Sequence, residues 1–190
     1  MEYGKFIIAG EDKKTLTTIK NALSSNGHTF IGYTKDSRNI LKHVRSCSPE
    51  FVILEVCNNF KDLRDILAIM DEELLASVIL VLDSRADEAI EFVRTSRIMT
   101  YITKPVFDEN VIQIVDLTLI NYKRVMDYEG KVRKLNDTLE SRKIVERAKW
   151  LLIEKEGMTE TEAYEAIKKK SRDNRMPMRE IAEAIIITRE

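Results

Sequence analysis

Up to about residue 105 the chain alternates short β-branched apolar runs with amphipathic helical stretches, and few folds accommodate that alternation. Runs such as Phe51-Val-Ile-Leu and Val78-Ile-Leu-Val-Leu are apolar at every position, as strands covered on both faces of a parallel sheet must be. Strands are expected at Lys5 to Ala9, Thr29 to Gly32, Phe51 to Leu54, Val78 to Leu82 and Thr100 to Ile102, with Gly27 and Pro49 punctuating helix ends and strand entries. An α/β doubly wound, five-stranded parallel sheet is the natural architecture. Ligands in such sheets bind beyond the carboxyl ends of the strands. Those ends carry Glu11 and Asp12, Glu55, Asp83 and Ser84, and Lys104.

After Pro105 the texture changes. Asp108 can cap a helix that runs without Gly or Pro until Gly130. Val111, Ile114, Thr118, Asn121, Val125, Tyr128, Val132, Leu135 and Leu139 recur at three- and four-residue steps, a heptad seam. Two readings are open: a two-stranded coiled coil that makes the protein a homodimer, or one amphipathic helix lying on its own domain. The segment from about Asn136 onward reads as three helices. Gly157 ends one, Thr159 with Glu162 forms a capping box for the next, and Pro177 suits the first turn of the last. Three units are thus expected: 1–122, a helical linker over 108–139 that overlaps the first, and 136–190.

Composition removes several function classes. The 31 basic and 32 acidic side chains of the 190 residues leave a net charge of -1, so attraction to a polyanion has to be local. No apolar run approaches the roughly 20 residues needed to span a bilayer, so a cytoplasmic protein without membrane contact is expected. Cys47 and Cys57 have no paired spacing with each other or with His28 and His43, and buried thiols are the expectation for both.

The strand-end residues carry a resemblance. Phe6-Ile-Ile-Ala-Gly-Glu-Asp, Pro49-Glu-Phe-Val-Ile-Leu-Glu and Tyr101-Ile-Thr-Lys-Pro resemble the first loop, third strand and last strand of the receiver domains of two-component response regulators, whose fold is flavodoxin-like. The family's phospho-accepting aspartate is replaced by Glu55, whose extra methylene moves the carboxylate away from the attack position. One of the paired first-loop acids that hold magnesium is Gly10 here. Asp83 or Ser84 falls where the family carries a phosphate-binding hydroxyl, and Tyr101 falls at its switch position. No phosphotransfer and no cofactor are expected; any magnesium would have to use Glu11, Asp12 and Glu55. Lys104 is expected to pair with Glu55 in a permanent contact.

Leu139-Glu-Ser-Arg-Lys-Ile-Val-Glu-Arg-Ala-Lys, Gly157-Met-Thr-Glu-Thr-Glu-Ala-Tyr and Arg179-Glu-Ile-Ala-Glu resemble the ANTAR domain, the RNA-binding output module of antiterminators. Ile144, Ala148, Leu151 and Leu152 share one helical face and Ala163, Ala166 and Ile167 another, which makes them core. The cations Arg142, Lys149, Lys168, Lys169, Arg172, Arg175 and Arg179 are candidates for phosphate contacts, and Tyr164 for base stacking. Trp150 stands where the family commonly has Gly, and either a base or a protein surface is expected to cover it.

The resemblance implies a non-enzymatic regulator that binds RNA hairpins in leader transcripts and prevents a terminator from forming, together with a sensor or other signalling partner. Two alternatives remain: an adaptor whose helical module binds protein, and an enzyme using Glu11 and Glu55 as an acid–base pair.

Overall fold

The computed structural model describes residues 3–35, 39–56, 60–84 and 86–189, which divide into two compact units, 1–127 and 128–190. In the first, β1 (Lys5–Ala9), β2 (Thr29–Thr34), β3 (Phe51–Glu55), β4 (Ser77–Leu82) and β5 (Met99–Thr103) form one parallel sheet in the order β2-β1-β3-β4-β5. The central strands β3 and β4 are buried at every residue, which explains their unbroken apolar sequence. Helices α2 (Ile40–Cys47), α3 (Lys61–Glu72) and α4 (Asp87–Thr95) contribute Val44, Leu67 and Ala89 to one core. Helices α1 (Lys13–Ser25) and α5 (Asp108–Glu156) contribute Leu16, Ile19, Val111 and Val115 to another. Each of these Leu, Ile or Val side chains stabilises the fold by about 1.5–3 kcal/mol on burial.

Helix α5 corrects the reading of the heptad seam. Val111 and Thr118 are buried, and Ile114 and Val125 pack against the cores of unit 1. The Thr118 hydroxyl lies 2.7 Å from that of Thr100 and donates to the Ile114 carbonyl at 2.6 Å, while the Asn121 amide donates to the Arg97 carbonyl at 3.4 Å. Half of the seam is therefore the inner face of a helix on its own domain. Tyr128, Val132, Leu135 and Leu139 are each more than half exposed. Gly130 does not end the helix, which continues to Glu156.

In unit 2 the end of α5 packs with α6 (Glu160–Asn174) and α7 (Met178–Arg189) around Ala148, Leu152, Ala163, Ile167, Ile181, Ala182 and Ile185. Ala148, Ala163 and Ala182 are completely buried, so small side chains set the helix spacing. Gly157 at φ +66 follows the end of α5. The Thr159 hydroxyl accepts from the Glu162 amide while the Glu162 carboxylate accepts from the Thr159 amide, the expected capping box. Cys47 is exposed, contrary to expectation: it shares a helical face with the buried Ile40 and Val44 but is the last residue of α2; Cys57 lies outside the described residues. Among the described residues no helix is long and apolar enough to cross a membrane.

Candidate functional site

Strands β1, β3, β4 and β5 deliver Glu11, Asp12, Glu55, Asp83 and Lys104 to one end of the sheet. Glu55, 2% exposed, turns its carboxylate inward. Its Oε2 accepts from the backbone amides of Glu11 at 2.7 Å and Asp12 at 2.8 Å, and its Oε1 accepts from Lys104 Nζ at 2.5 Å. Lys104 Nζ is also 3.5 Å from Asp12 and 3.7 Å from Asp83. Burial pushes the Glu55 carboxyl up, but the Asp12 amide, Lys104 and the Glu11 amide together hold it below the usual glutamate range. Burial likewise depresses the Lys104 ammonium, yet Glu55, Asp83 and Asp12 raise it overall.

Gly10 makes this arrangement possible. It sits at φ +150, and a Cβ there would lie 2.5 Å from Glu55 Cβ and 2.6 Å from Oε2. The longer carboxylate of Glu55 thus folds back into space that any side chain at position 10 would take. Sequence reasoning noted the two replacements separately and missed that the Glu55 carboxylate uses space that a side chain at position 10 would fill. Two unusual residues at facing strand ends were the signal.

Magnesium does not fit these residues. Both Glu55 oxygens are engaged, and Asp12 caps α1 by accepting from Lys14 and Thr15. The hydroxyl and amide of Thr15 are the main reasons its carboxyl is held low. An ammonium already lies within 4 Å of the Glu55, Asp12 and Asp83 carboxylates, where a dication would meet like charge. Glu11 offers its amide to the pocket while its side chain is exposed, and Ser84 and Tyr101 are exposed as well.

Unit 2 sorts its cations. The Lys149 side chain, only 8% exposed, bonds Glu146 and Glu160 at 2.9 and 2.8 Å and ties α5 to α6. This corrects its assignment to RNA, because a buried, doubly paired ammonium has no free face for phosphate. Arg179 pairs with Glu183. Lys168 pairs with Glu165 and lies 5.8 Å from the centre of the Tyr164 ring. Arg142, Arg172 and Arg175 are exposed and make no ion pair among the described residues. Tyr164, Lys168 and Arg172 follow at four-residue steps on one face of α6, and Arg175, at φ 55, closes the helix beside them. A row of an aromatic ring and cations can offer stacking and phosphate contacts together.

The ANTAR domain model matches residues 133–186. The chain is similar to the transcriptional regulatory protein PdtaR of Mycobacterium tuberculosis, at 27% identity over 184 residues, covering 97% of this chain and 90% of that one. It is similar to the nitrate regulatory protein of Klebsiella oxytoca at 34% identity over 74 residues, 39% of this chain and 19% of that one. A response regulator receiver domain of CheY-like type from Methanospirillum hungatei shares the fold of unit 1, with a TM-score of 0.54 at 14% identity, over 65% of this chain and 98% of that chain. The chain thus carries a segment that matches the ANTAR domain model, after a unit with a receiver-type fold, and is similar along nearly its whole length to a transcriptional regulatory protein.

Proposed function

We propose that the protein regulates transcription by binding paired hairpins in leader RNA through its ANTAR unit, as a dimer joined along α5, without needing aspartyl phosphorylation. The observation that carries the reading is the row of Tyr164, Lys168 and Arg172 on α6, with Arg175 at its end, inside the segment that matches the ANTAR model. RNA loops present unpaired bases to aromatic rings while stems present phosphates to Arg and Lys. A dimer holds two such surfaces on one molecule, so the second hairpin binds at a high effective concentration. Phosphorylation independence is supported by the receiver pocket, where the Glu55 carboxylate occupies the amides and the lysine at the strand ends. No catalysis is required, and a sensor or other signalling protein can still dock on the receiver surface.

The test is binding of the full chain to leader RNAs carrying two hairpins, measured across a salt series. Affinity should fall steeply with salt, and Arg172→Ala and Arg175→Ala should each weaken binding and lower the log–log slope by about 0.7–0.9. Unchanged affinity and slope in both variants would favour the adaptor reading, in which the helical unit binds protein.

A further inference from the structure

Strand β2 is an edge of the sheet, and a cleft of about 300 Å³ opens to solvent between it and α1. Ile8 of β1 and Leu16 of α1, both buried, lie deepest in it, and Phe30 and Tyr33 of β2 add two rings. The Phe30 ring is held in place by Phe6, which it meets at 5.6 Å in an edge arrangement. Lys13 and Lys20 stand on the rim, two helical turns or roughly 10 Å apart along α1. Helix α1 carries three lysines and no acid, and neither Lys13 nor Lys20 makes an ion pair among the described residues. Lys20 Nζ rests instead 4.4 Å from the centre of the Phe30 ring. A lysine stem laid over an apolar ring is ordinary surface packing. Two such cations flanking an apolar recess, with no carboxylate to neutralise them, make a local positive field around an aromatic slot.

We propose that the cleft between α1 and β2 binds a small aromatic anion, such as an aryl carboxylate, and that its occupancy is transmitted to the Glu55 pocket through Tyr33 and Gly10. The site goes beyond the RNA reading and does not depend on it. A ring that enters beside Leu16, Phe30 and Tyr33 loses apolar surface to the cleft, while its acidic group meets an ammonium at either end. A mostly apolar recess with a few placed polar groups is the usual form of a small-molecule site. A long polyanion suits it less well, because the apolar part is recessed and the cations only flank it.

The path to Glu55 is short. The Tyr33 hydroxyl donates to the Gly10 carbonyl at 2.7 Å, and the Gly10 amide donates to the Thr34 carbonyl at 3.2 Å. Strand β2 thus holds Gly10 at both of its peptide groups. The amides of the next two residues, Glu11 and Asp12, hold Glu55 Oε2. Leu16 belongs to both places: it lines the cleft, and its Cδ1 lies 3.0 Å from where a Cβ at Gly10 would be. A ligand that moves Tyr33 therefore acts on the loop that positions Glu55, an input to the receiver that involves no phosphoryl group.

The test uses the folded full-length protein and 8-anilinonaphthalene-1-sulfonate, an aromatic anion that brightens on leaving water. It should occupy a single saturable site, and the combined Lys13→Gln, Lys20→Gln variant should bind it about tenfold more weakly. N-phenyl-1-naphthylamine, which lacks the sulfonate, should bind the wild type weakly and be indifferent to the two lysines. In amide correlation spectra the signals of Gly10, Glu11 and Asp12 should shift at saturating dye, and Tyr33→Phe should diminish those shifts. Urea unfolding of each variant checks that the fold is intact, since this dye also binds partly unfolded chains. Dye binding that is unchanged in the double lysine variant, that fills several sites, or that grows only as the protein is destabilised overturns the site. Displacement of the dye by polyglutamate or by leader RNA at matched charge marks a general polyanion face and overturns the small-ligand assignment. Saturation without any shift at Gly10, Glu11 and Asp12 overturns the connection to Glu55.

Discussion

Gly10→Ala should damage the receiver unit far more than a one-carbon change at a loop usually does. The added Cβ would lie 2.5 Å from Glu55 Cβ, 2.6 Å from Oε2 and 3.0 Å from Leu16 Cδ1. Glu55 Cβ cannot rotate away, because it is fixed by the backbone of β3, a strand paired on both sides. Oε2 is held by two amides. The φ of +150 adds strain of about 1–3 kcal/mol for a residue with a side chain, and overpacking adds about 1–3 kcal/mol more. The sum is a loss of about 2–6 kcal/mol, a large part of the about 5–15 kcal/mol that typically holds a domain folded. Urea unfolding of the wild type, Gly10→Ala, Glu55→Ala and the double variant measures it. The penalty at position 10 should shrink in the Glu55→Ala background, where the Oε2 clash is gone, without vanishing, since the Cβ contact persists. A penalty below about 1 kcal/mol, or one identical in both backgrounds, would refute the interdependence of Gly10 and Glu55.

Incubation with a small phosphodonor such as acetyl phosphate should leave the mass of the intact protein unchanged; an acyl phosphate on any receiver carboxylate would contradict this. Lys104→Met, which strands a buried carboxylate, should cost about 3 kcal/mol of stability. That difference has a defined pH window. The lowered Glu55 pKa contributes stability present above the usual glutamate value and lost as pH falls through the folded value, and the raised Lys104 pKa contributes stability lost as pH rises through its own. Urea midpoints of the two proteins should therefore differ most between those limits and converge at the acid end. Ala148→Leu should overpack the three-helix core by about 1–3 kcal/mol and lower the melting transition of unit 2. Lys149→Ala should lower the same transition while leaving the salt slope of RNA binding unaltered; a reduced slope would return Lys149 to the RNA surface.

The strands were legible because burial on both sheet faces forces apolar residues at every position of β3 and β4, a constraint written in the residues themselves. The capping box was legible for a similar reason, since Thr159 and Glu162 interact across three residues. What escaped is non-local. Whether Val111 and Thr118 faced a second chain or their own sheet depends on how α5 lies on β5, which the spacing does not encode, since both surfaces ask for the same periodicity. A charge at Val125 would therefore damage the receiver itself, and Val132 or Leu135 is the informative place to disrupt a dimer. Lys149 was misread because its acids come from two helices, Glu146 on α5 and Glu160 on α6. A count of cations along the chain cannot tell a paired one from a free one.

The exposed stretch of α5 around Gly130 ties secondary structure to association. A glycine in a helix interior costs about 1 kcal/mol relative to Ala, and here no atom lies within 4 Å of where its Cβ would be. Residues 131–140 then rely on hydrogen bonds within a segment that solvent surrounds on all sides. In the dimer proposed along α5, helicity there becomes a function of protein concentration: dilution should open these amides to hydrogen exchange and lower the far-ultraviolet helical signal, while the amides of β3 and β4 stay protected. Any ligand that favours the paired state would, by linkage, order this segment without touching it.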